Sequence, residues 1–364
     1  MQQTKHSPLA LCAAVACALG VASLILDAGG AAEAARDGIT RCLQTVIPAL
    51  FPFLVLSRLF LGTPAADLCR RLLGPIMGPV FRLPPQASPA LVLGLLGGYP
   101  LGAKAAADLY RQGCLQKQEA ERLLGFCSNA GPAFLFGMVG ALLGGPAIAG
   151  VLYLIHILSA LLSGVVQRPT GPAPSVRRPQ PSIAQCSVPE AVSDSVRTMA
   201  LICGYIVLLQ VVSGFLTRAL GTWMPEAVRI GLAGLLELTS GCCQLVELEA
   251  SGLRYCMASG FLAFGGLSVW MQTLSVIRPA GLQGACYLPG KVLQSTIAVL
   301  LTWAVMVLFP RLLPMEAAAA YQGVSNHAGL LRATGAVAGI LFTALGAWCI
   351  YLKKRAGKQE VYPV

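Results

Sequence analysis

The chain has 364 residues, of which 56% are hydrophobic and only 11% are charged. A water-soluble domain normally carries about 25% charged residues and a disordered chain has low hydrophobicity, so both classes are excluded. The formal net charge of +11 is typical of the cytoplasmic loops of a multi-pass membrane protein, and we expect no binding of nucleic acid. The predicted fold is therefore an all-α polytopic membrane protein.

Eight apolar stretches are suitable for crossing a bilayer core, which takes roughly 20 helical residues. In chain order they are residues 8–26, 42–62, 126–145, 147–167, 199–220, 256–277, 292–309 and 333–352. The first stretch could instead be a signal peptide, because small residues follow it, but its length favours an uncleaved span. We expect about eight transmembrane helices.

Two further apolar segments are not predicted to form continuous transmembrane helices. Residues 87–103 contain Gly97, Gly98 and Pro100, and residues 230–248 contain Glu237 inside an apolar run. Glycine and proline interrupt helices, and irregular backbone at membrane depth is tolerated only where it faces protein or a cavity. Both segments are predicted to be re-entrant hairpins or broken helices.

Residues 168–190 divide the chain, since they combine six prolines and three arginines with a single acid. We interpret them as a cytoplasmic linker.

The predicted organisation is a first span and outer loop (1–41), a first repeat (42–167), this linker (168–190), a second repeat (191–310), and a last span with a basic tail (311–364). The basic tail places the C-terminus in the cytoplasm, the span count places the N-terminus there too, and the localisation is the cell membrane.

The two halves follow the same order of span, hairpin and span, with Gly94-Leu95-Leu96 matching Gly234-Leu235-Leu236. The halves would enter the membrane from opposite sides, which is the inverted-topology repeat of many secondary transporters. The alternative is that any two membrane segments rich in Gly and Leu look alike.

Helix breaks predict the functional site, because half-helix N-termini present positive dipole ends to a solute near the midplane. The predicted break residues are Gly97, Gly98, Pro100, Gly131, Pro132, Gly265 and Gly266. The candidate substrate-binding residues beside them are Tyr99, Lys104, Ser128, Asn129, Thr239, Ser240, Ser268 and Gln272. We expect the polar tips of the two hairpins to face each other across a central cavity.

Three of these candidates have structural alternatives. Glu237 is a candidate for binding a coupling ion, because an intramembrane carboxylate is costly, but it could also be a hairpin tip near the outer water. Lys104 could bind an anionic group or extend to the cytoplasmic interface. Asn129 could turn toward solute or cap the helix that begins at Pro132.

Motifs for enzymes and metals are missing from the sequence. It contains no GxSxG, no HExxH, no Walker A pattern and no CxxC, and its three histidines are scattered. We therefore expect neither an enzyme nor a cofactor or metal site, and no ATP-driven pump within this chain.

Five segments carry a resemblance to a known family. They are PALFPFLVLS (48–57), GGYPLGAK (97–104), EAERLLGFCSNAGPAFLFGMVG (119–140), GLLELTSGC (234–242) and GGLSVWMQTLS (265–275). They resemble the YlbJ-type sporulation integral membrane proteins of spore-forming Firmicutes. The resemblance implies nucleoside-recognition gate domains, distantly similar to concentrative nucleoside transporters, and a role in moving dipicolinic acid toward the developing spore.

The function expected from residues and resemblance together is a secondary carrier that works by alternating access on a small anionic aromatic solute, first of all dipicolinic acid. A nucleoside-type carrier is the alternative, because Asn129, Gln272 and Glu237 suit ribose hydroxyls. A non-transporting scaffold or sensor in spore-envelope assembly is the other. The expected partners are the solute, the lipid bilayer and possible further copies of the chain.

Overall fold

The computed structural model describes residues 8–61, 63–169, 187–220 and 223–314, and every regular element in these ranges is helical. The helices are α1 (Pro8–Leu26), α2 (Ala28–Arg41), α3 (Ile47–Leu61), α4 (Pro64–Ile76), α5 (Ser88–Gly97), α6 (Leu101–Arg111), α7 (Lys117–Cys127), α8 (Pro132–Phe134), α9 (Gly140–Leu143), α10 (Pro146–Val166), α11 (Val188–Leu220), α12 (Glu226–Leu236), α13 (Leu238–Gln244), α14 (Ser251–Phe264), α15 (Gly266–Ile277) and α16 (Tyr287–Leu308). A π-helical turn (Cys42–Val46) joins α2 to α3, and a second (Leu135–Val139) joins α8 to α9.

Five of the described helical stretches are long and apolar enough to cross a membrane. They are Lys117–Leu143, Pro146–Val166, Val188–Ala219, Ser251–Ala280 and Tyr287–Leu308. The chain is a multi-pass membrane protein, as its composition predicted.

The expected count of eight spans is only partly matched in the described residues. The predicted spans 126–145, 147–167, 199–220, 256–277 and 292–309 coincide with the five long stretches. The first two differ. Cys17–Leu26 and Ala28–Val46 form a pair bent by 102°, which could count as a sixth span, and the rest of the second predicted span lies in α3, whose apolar part is Leu50–Phe60. The last predicted span, the basic tail and most of the linker lie outside the described residues, so the count of eight stays a prediction.

Both predicted hairpins consist of two helices that pack against each other, α5 with α6 and α12 with α13. A Cβ on Gly102 would lie 2.8 Å from Cα of Gly94, and a Cβ on Gly241 would lie 2.2 Å from Cα of Gly234. These distances are shorter than real Cβ contacts, so both hairpins close through a pair of glycines. Gly94 and Gly234 are also the residues that the match between the two halves aligned.

Two of the long apolar stretches are broken in the middle. In the first, α7 ends at Cys127 and α8 begins at Pro132, with residues 128–131 outside any helix. In the second, α14 ends at Phe264 and α15 begins after Gly265, whose φ of +84° lies in the left-handed region. Each break packs on the hairpin tip of its own half, since a Cβ on Gly98 would lie 3.0 Å from the nitrogen of Gly131 and one on Gly266 would lie 3.2 Å from the nitrogen of Leu238.

Helix α16 packs against α7, α10 and α14, and thereby connects the two halves. Its backbone crosses α7 at two glycines, because a Cβ on Gly290 would lie 2.3 Å from the carbonyl oxygen of Gly125. This close crossing brings the residue that follows Gly290 against the first helix break.

Candidate functional site

A cavity lies where the two hairpin tips meet. Its polar lining comes from Thr45, Tyr99, Glu237, Thr239 and Gln272. Most of its apolar lining comes from α3, α11 and the first break. The volume open to water-sized spheres is about 60 Å³, which holds a few waters, whereas pockets for small-molecule ligands are typically about 300–1,000 Å³. The cavity is therefore too small for such a ligand in this conformation, and a solute could bind only if the cavity widened.

Glu237 is the N-cap of α13, and only 2% of its surface is exposed. Its Oε1 accepts a hydrogen bond from the backbone N–H of Thr239 (3.0 Å), and its Oε2 accepts from the N–H (2.7 Å) and the hydroxyl (2.8 Å) of Ser240. These bonds satisfy donors that the start of a helix leaves free. The same carboxylate lines the cavity.

Ser240 and Thr239 lie at the same helix start. The hydroxyl of Ser240 also accepts from Nη1 of Arg41 (2.9 Å) and contacts the side chain of Gln210. Ser240 is thus engaged with its own protein, while Thr239 contributes to the cavity lining.

Tyr99 connects the first hairpin to the second broken span. Its hydroxyl donates to the carbonyl oxygen of Leu262 (2.8 Å), near the C-terminal end of α14. A Cβ on Gly265 would lie 3.2 Å from the Tyr99 ring, so the glycine at the second break leaves room for it. The tip of one half therefore binds the break of the other.

Asn129 and Ser128 are both fully buried at the first break. The Asn129 amide donates to the carbonyl oxygen of Phe126 (2.8 Å), which caps the end of α7, and its Oδ1 accepts from Nε2 of Gln294 (2.9 Å). Asn129 is therefore not the predicted cap of the helix that begins at Pro132, because the N-cap there is Gly131 and no side chain caps it. Its side chain instead connects the end of α7 to α16.

Gln272 and Ser268 lie on one face of α15, where Nε2 of Gln272 donates to the Ser268 hydroxyl at 3.0 Å. Both are buried, but only Gln272 lines the cavity.

Lys104 lies apart from the cavity lining. Its ammonium binds Asp194 of α11 at 2.5 Å and the hydroxyl of Thr198 at 3.0 Å. Arg58 and Asp108 complete this ion cluster, with Nη1 of Arg58 2.6 Å from Oδ2 of Asp108 and Nε of Arg58 3.4 Å from Asp194. A contact between Lys104 and a solute in the cavity would require the cluster to open.

Two buried residues that contact the first helix break, Lys291 and His156, were not among the site residues predicted from the sequence. Lys291 is fully buried on α16, and its Nζ lies 2.6 Å from Oε1 of Gln294 and 3.5 Å from Oδ1 of Asn129. His156, 2% exposed on α10, accepts the backbone N–H of Ala130 on Nε2 at 3.1 Å. Lys291 stood one residue before the predicted span 292–309, where a lysine usually extends to the membrane interface. Its burial therefore did not follow from the sequence.

In the described ranges, no group of three or more His, Cys, Asp or Glu side chains could hold a metal ion.

Comparisons with known proteins give one family model and one related protein. Residues 43–156 match the family model described as "Gate: Nucleoside recognition", a region that contains the first hairpin and the first break. Over 314 residues the chain is 28% identical to the sporulation integral membrane protein YlbJ of Bacillus subtilis (strain 168), and the alignment covers 74% of this chain and 77% of that protein. The resemblance to the YlbJ-type family is confirmed. No solved structure gives a significant match.

Proposed function

We propose that this Gate-containing membrane protein is a secondary carrier that moves a small solute by alternating access, with the cavity between the hairpin tips as its binding site. One observation carries the proposal: Tyr99 from the first hairpin and Glu237 and Thr239 from the second line the same cavity. Broken helices that meet at a cavity lined by a few polar side chains are typical of carriers. A scaffold has no need of them.

An inverted-topology repeat is part of this proposal. In both halves a glycine-closed hairpin packs on a helix break, with Gly98 against Gly131 and Leu238 against Gly266. The proposed membrane orientation, with both termini in the cytoplasm, makes the two halves opposite in direction. Rocking of one half against the other would then expose the cavity to alternate sides.

We take a small anionic aromatic solute as the substrate, with dipicolinic acid during sporulation as the specific candidate. The apolar walls supplied by Leu50, Phe134 and Ile206 suit a flat ring. The Bacillus subtilis relative is named as a sporulation protein, and the YlbJ-type resemblance points to this acid. Glu237 would bind the coupling ion, because its carboxylate faces the cavity.

A nucleoside is the second candidate substrate. The matching family model is described by nucleoside recognition, and Glu237 and Gln272 both line the cavity. Carboxylate and amide groups are suitable partners for ribose hydroxyls.

The test is uptake of labelled dipicolinate into proteoliposomes that contain the purified full chain, with protein-free liposomes as the control. Saturable uptake that excess unlabelled dipicolinate reduces and that uridine and inosine do not affect supports the anion carrier. Uptake of labelled uridine without uptake of dipicolinate supports the nucleoside carrier. Uptake of neither solute contradicts the carrier function and favours a scaffold or sensor.

A further inference from the structure

Lys291 is a buried lysine whose contacts are neutral groups. Its Nζ contacts Gln294 (2.6 Å), Asn129 (3.5 Å) and the Tyr99 hydroxyl (3.5 Å), and lies 5.1 Å from the centre of the Tyr99 ring. In the part of the chain that the structure describes, no carboxylate lies within ion-pair distance of Lys291.

This arrangement is costly unless an anion completes it. A buried charge without a counter-charge costs several kcal/mol, and amide oxygens or an aromatic face offset only a part of that cost. Two amide oxygens and a phenol oxygen nevertheless converge on Lys291, which suits an ammonium donor.

Other buried polar groups at the same centre also lack partners. The Tyr287 hydroxyl adjoins Thr273 and Ser128, yet among the described residues none of the three hydroxyls has a hydrogen-bond partner at normal geometry. Nδ1 of His156 is unpartnered in the same way. Buried hydroxyls normally find a partner, and Tyr287 lies one helical turn before Lys291 on α16.

Tyr99 separates this centre from the cavity. Its side chain lines the cavity, and the same side chain contacts Lys291 through its hydroxyl and ring face. A rotation of Tyr99 away from the carbonyl oxygen of Leu262 would therefore open the cavity toward the ammonium.

We propose that Lys291, supported by Asn129 and Gln294, is the recognition site for a carboxylate of the solute, and that the Tyr99 side chain is the movable partition between this site and the cavity. The inference rests on the proposed function and adds the residue that selects an anion. The proposed site predicts that the preferred ligand carries a negative charge.

The test is the dissociation constant of dipicolinate for the purified full chain, measured by isothermal titration calorimetry. Lys291→Met keeps the length of the side chain and removes the charge, and should weaken binding at least tenfold. Gln294→Glu would place an internal carboxylate beside Lys291, and should weaken binding by a similar factor because the ammonium is then already paired. Lys117→Met, at the exposed start of α7, is the matched control and should bind like the wild type.

The melting temperature of each variant provides a second readout. We expect Lys291→Met to melt no lower than the wild type, because an unpaired buried charge is removed. A purely structural lysine would give the opposite pattern, a lower melting temperature with unchanged dipicolinate binding, and that result would overturn the proposal. Absence of dipicolinate binding by the wild type would overturn it as well.

Binding and uptake together distinguish the two proposals. Wild-type protein that binds dipicolinate through Lys291 but does not move it into liposomes contradicts the carrier function and leaves the anion site standing. Uptake and binding by Lys291→Met and Gln294→Glu at wild-type levels contradict the anion site and leave the carrier standing.

Discussion

Glu237 shows how one residue can serve both the fold and the site. The sequence predicted it as a costly carboxylate inside an apolar run, and the structure uses it to cap α13, where three donors from Thr239 and Ser240 satisfy it. Hydrogen bonds from several N–H and O–H donors stabilise a carboxylate that is buried in the protein. The cap could not be deduced from the sequence, because nothing there marks the end of α12 at Leu236.

Glu237→Gln should lower stability by about 1–2 kcal/mol, since a glutamine retains one acceptor oxygen and turns an N–H₂ group toward backbone donors. The measurement is the melting temperature of the purified protein. Glu226→Gln, at the exposed start of α12, is the control and should change it little. Equal changes in both variants would contradict the capping role.

Gly98 is the residue at which the first hairpin turns. Its φ of +86° and ψ of −176° are accessible almost only to glycine, and a Cβ there would lie 3.0 Å from the nitrogen of Gly131. The sequence predicted a break here from Gly97, Gly98 and Pro100, and the backbone conformation explains why the break needs glycine.

Gly98→Ala should therefore destabilise the protein by about 1–3 kcal/mol from backbone strain, and the close contact with Gly131 should add to this cost. Thermal unfolding in detergent measures the effect. Gly137→Ala is the control, because no atom lies within 4 Å of the position of its Cβ, and it should not lower the melting temperature. A variant at Gly98 that melts like the wild type would argue against the strained turn.

At the scale of elements, an ion cluster joins helices that belong to different halves of the chain. Asp194 on α11 binds Lys104 of α6 and lies 3.4 Å from Arg58 of α3. The sequence marked Lys104 as a possible solute ligand, but it could not show that Asp194, which is 90 positions away, would come within 2.5 Å of it. Contacts of this kind depend on tertiary packing.

Asp194→Asn should loosen this connection and lower stability by about 1 kcal/mol, because the cluster is partly exposed and exposed ion pairs contribute little. It leaves Lys104 and Arg58 with Asp108 as their remaining carboxylate in the cluster. Asp67→Asn is the matched control, since Asp67 has a similar side-chain exposure (33% against 35%) but pairs with Arg70 on its own helix. If the melting temperatures of both variants fall by the same amount, this would contradict a role of Asp194 in joining the halves.

At the scale of the whole molecule, composition and periodicity predicted the helical membrane fold and the two hairpins well, because glycine, proline and apolar length act locally. They did not predict the 102° bend between the first two helices or the crossing of Gly125 and Gly290. That crossing brings Lys291 to Asn129 across 162 positions of the chain. Of the side chains predicted beside the breaks, Tyr99, Glu237, Thr239 and Gln272 line the cavity and the others do not. The buried Lys291 beside the cavity followed only from the packing of α16.

The central claim is that the solute passes through the cavity between the hairpin tips, and blocking that cavity tests it most directly. Thr45 lines the cavity, so Thr45→Trp should fill it, whereas Thr40→Trp changes an exposed position of α2. At matched protein content, proteoliposomes with the wild type or Thr40→Trp should accumulate labelled dipicolinate, and those with Thr45→Trp should not exceed protein-free liposomes. Uptake by Thr45→Trp at the wild-type rate would contradict the assignment of the cavity.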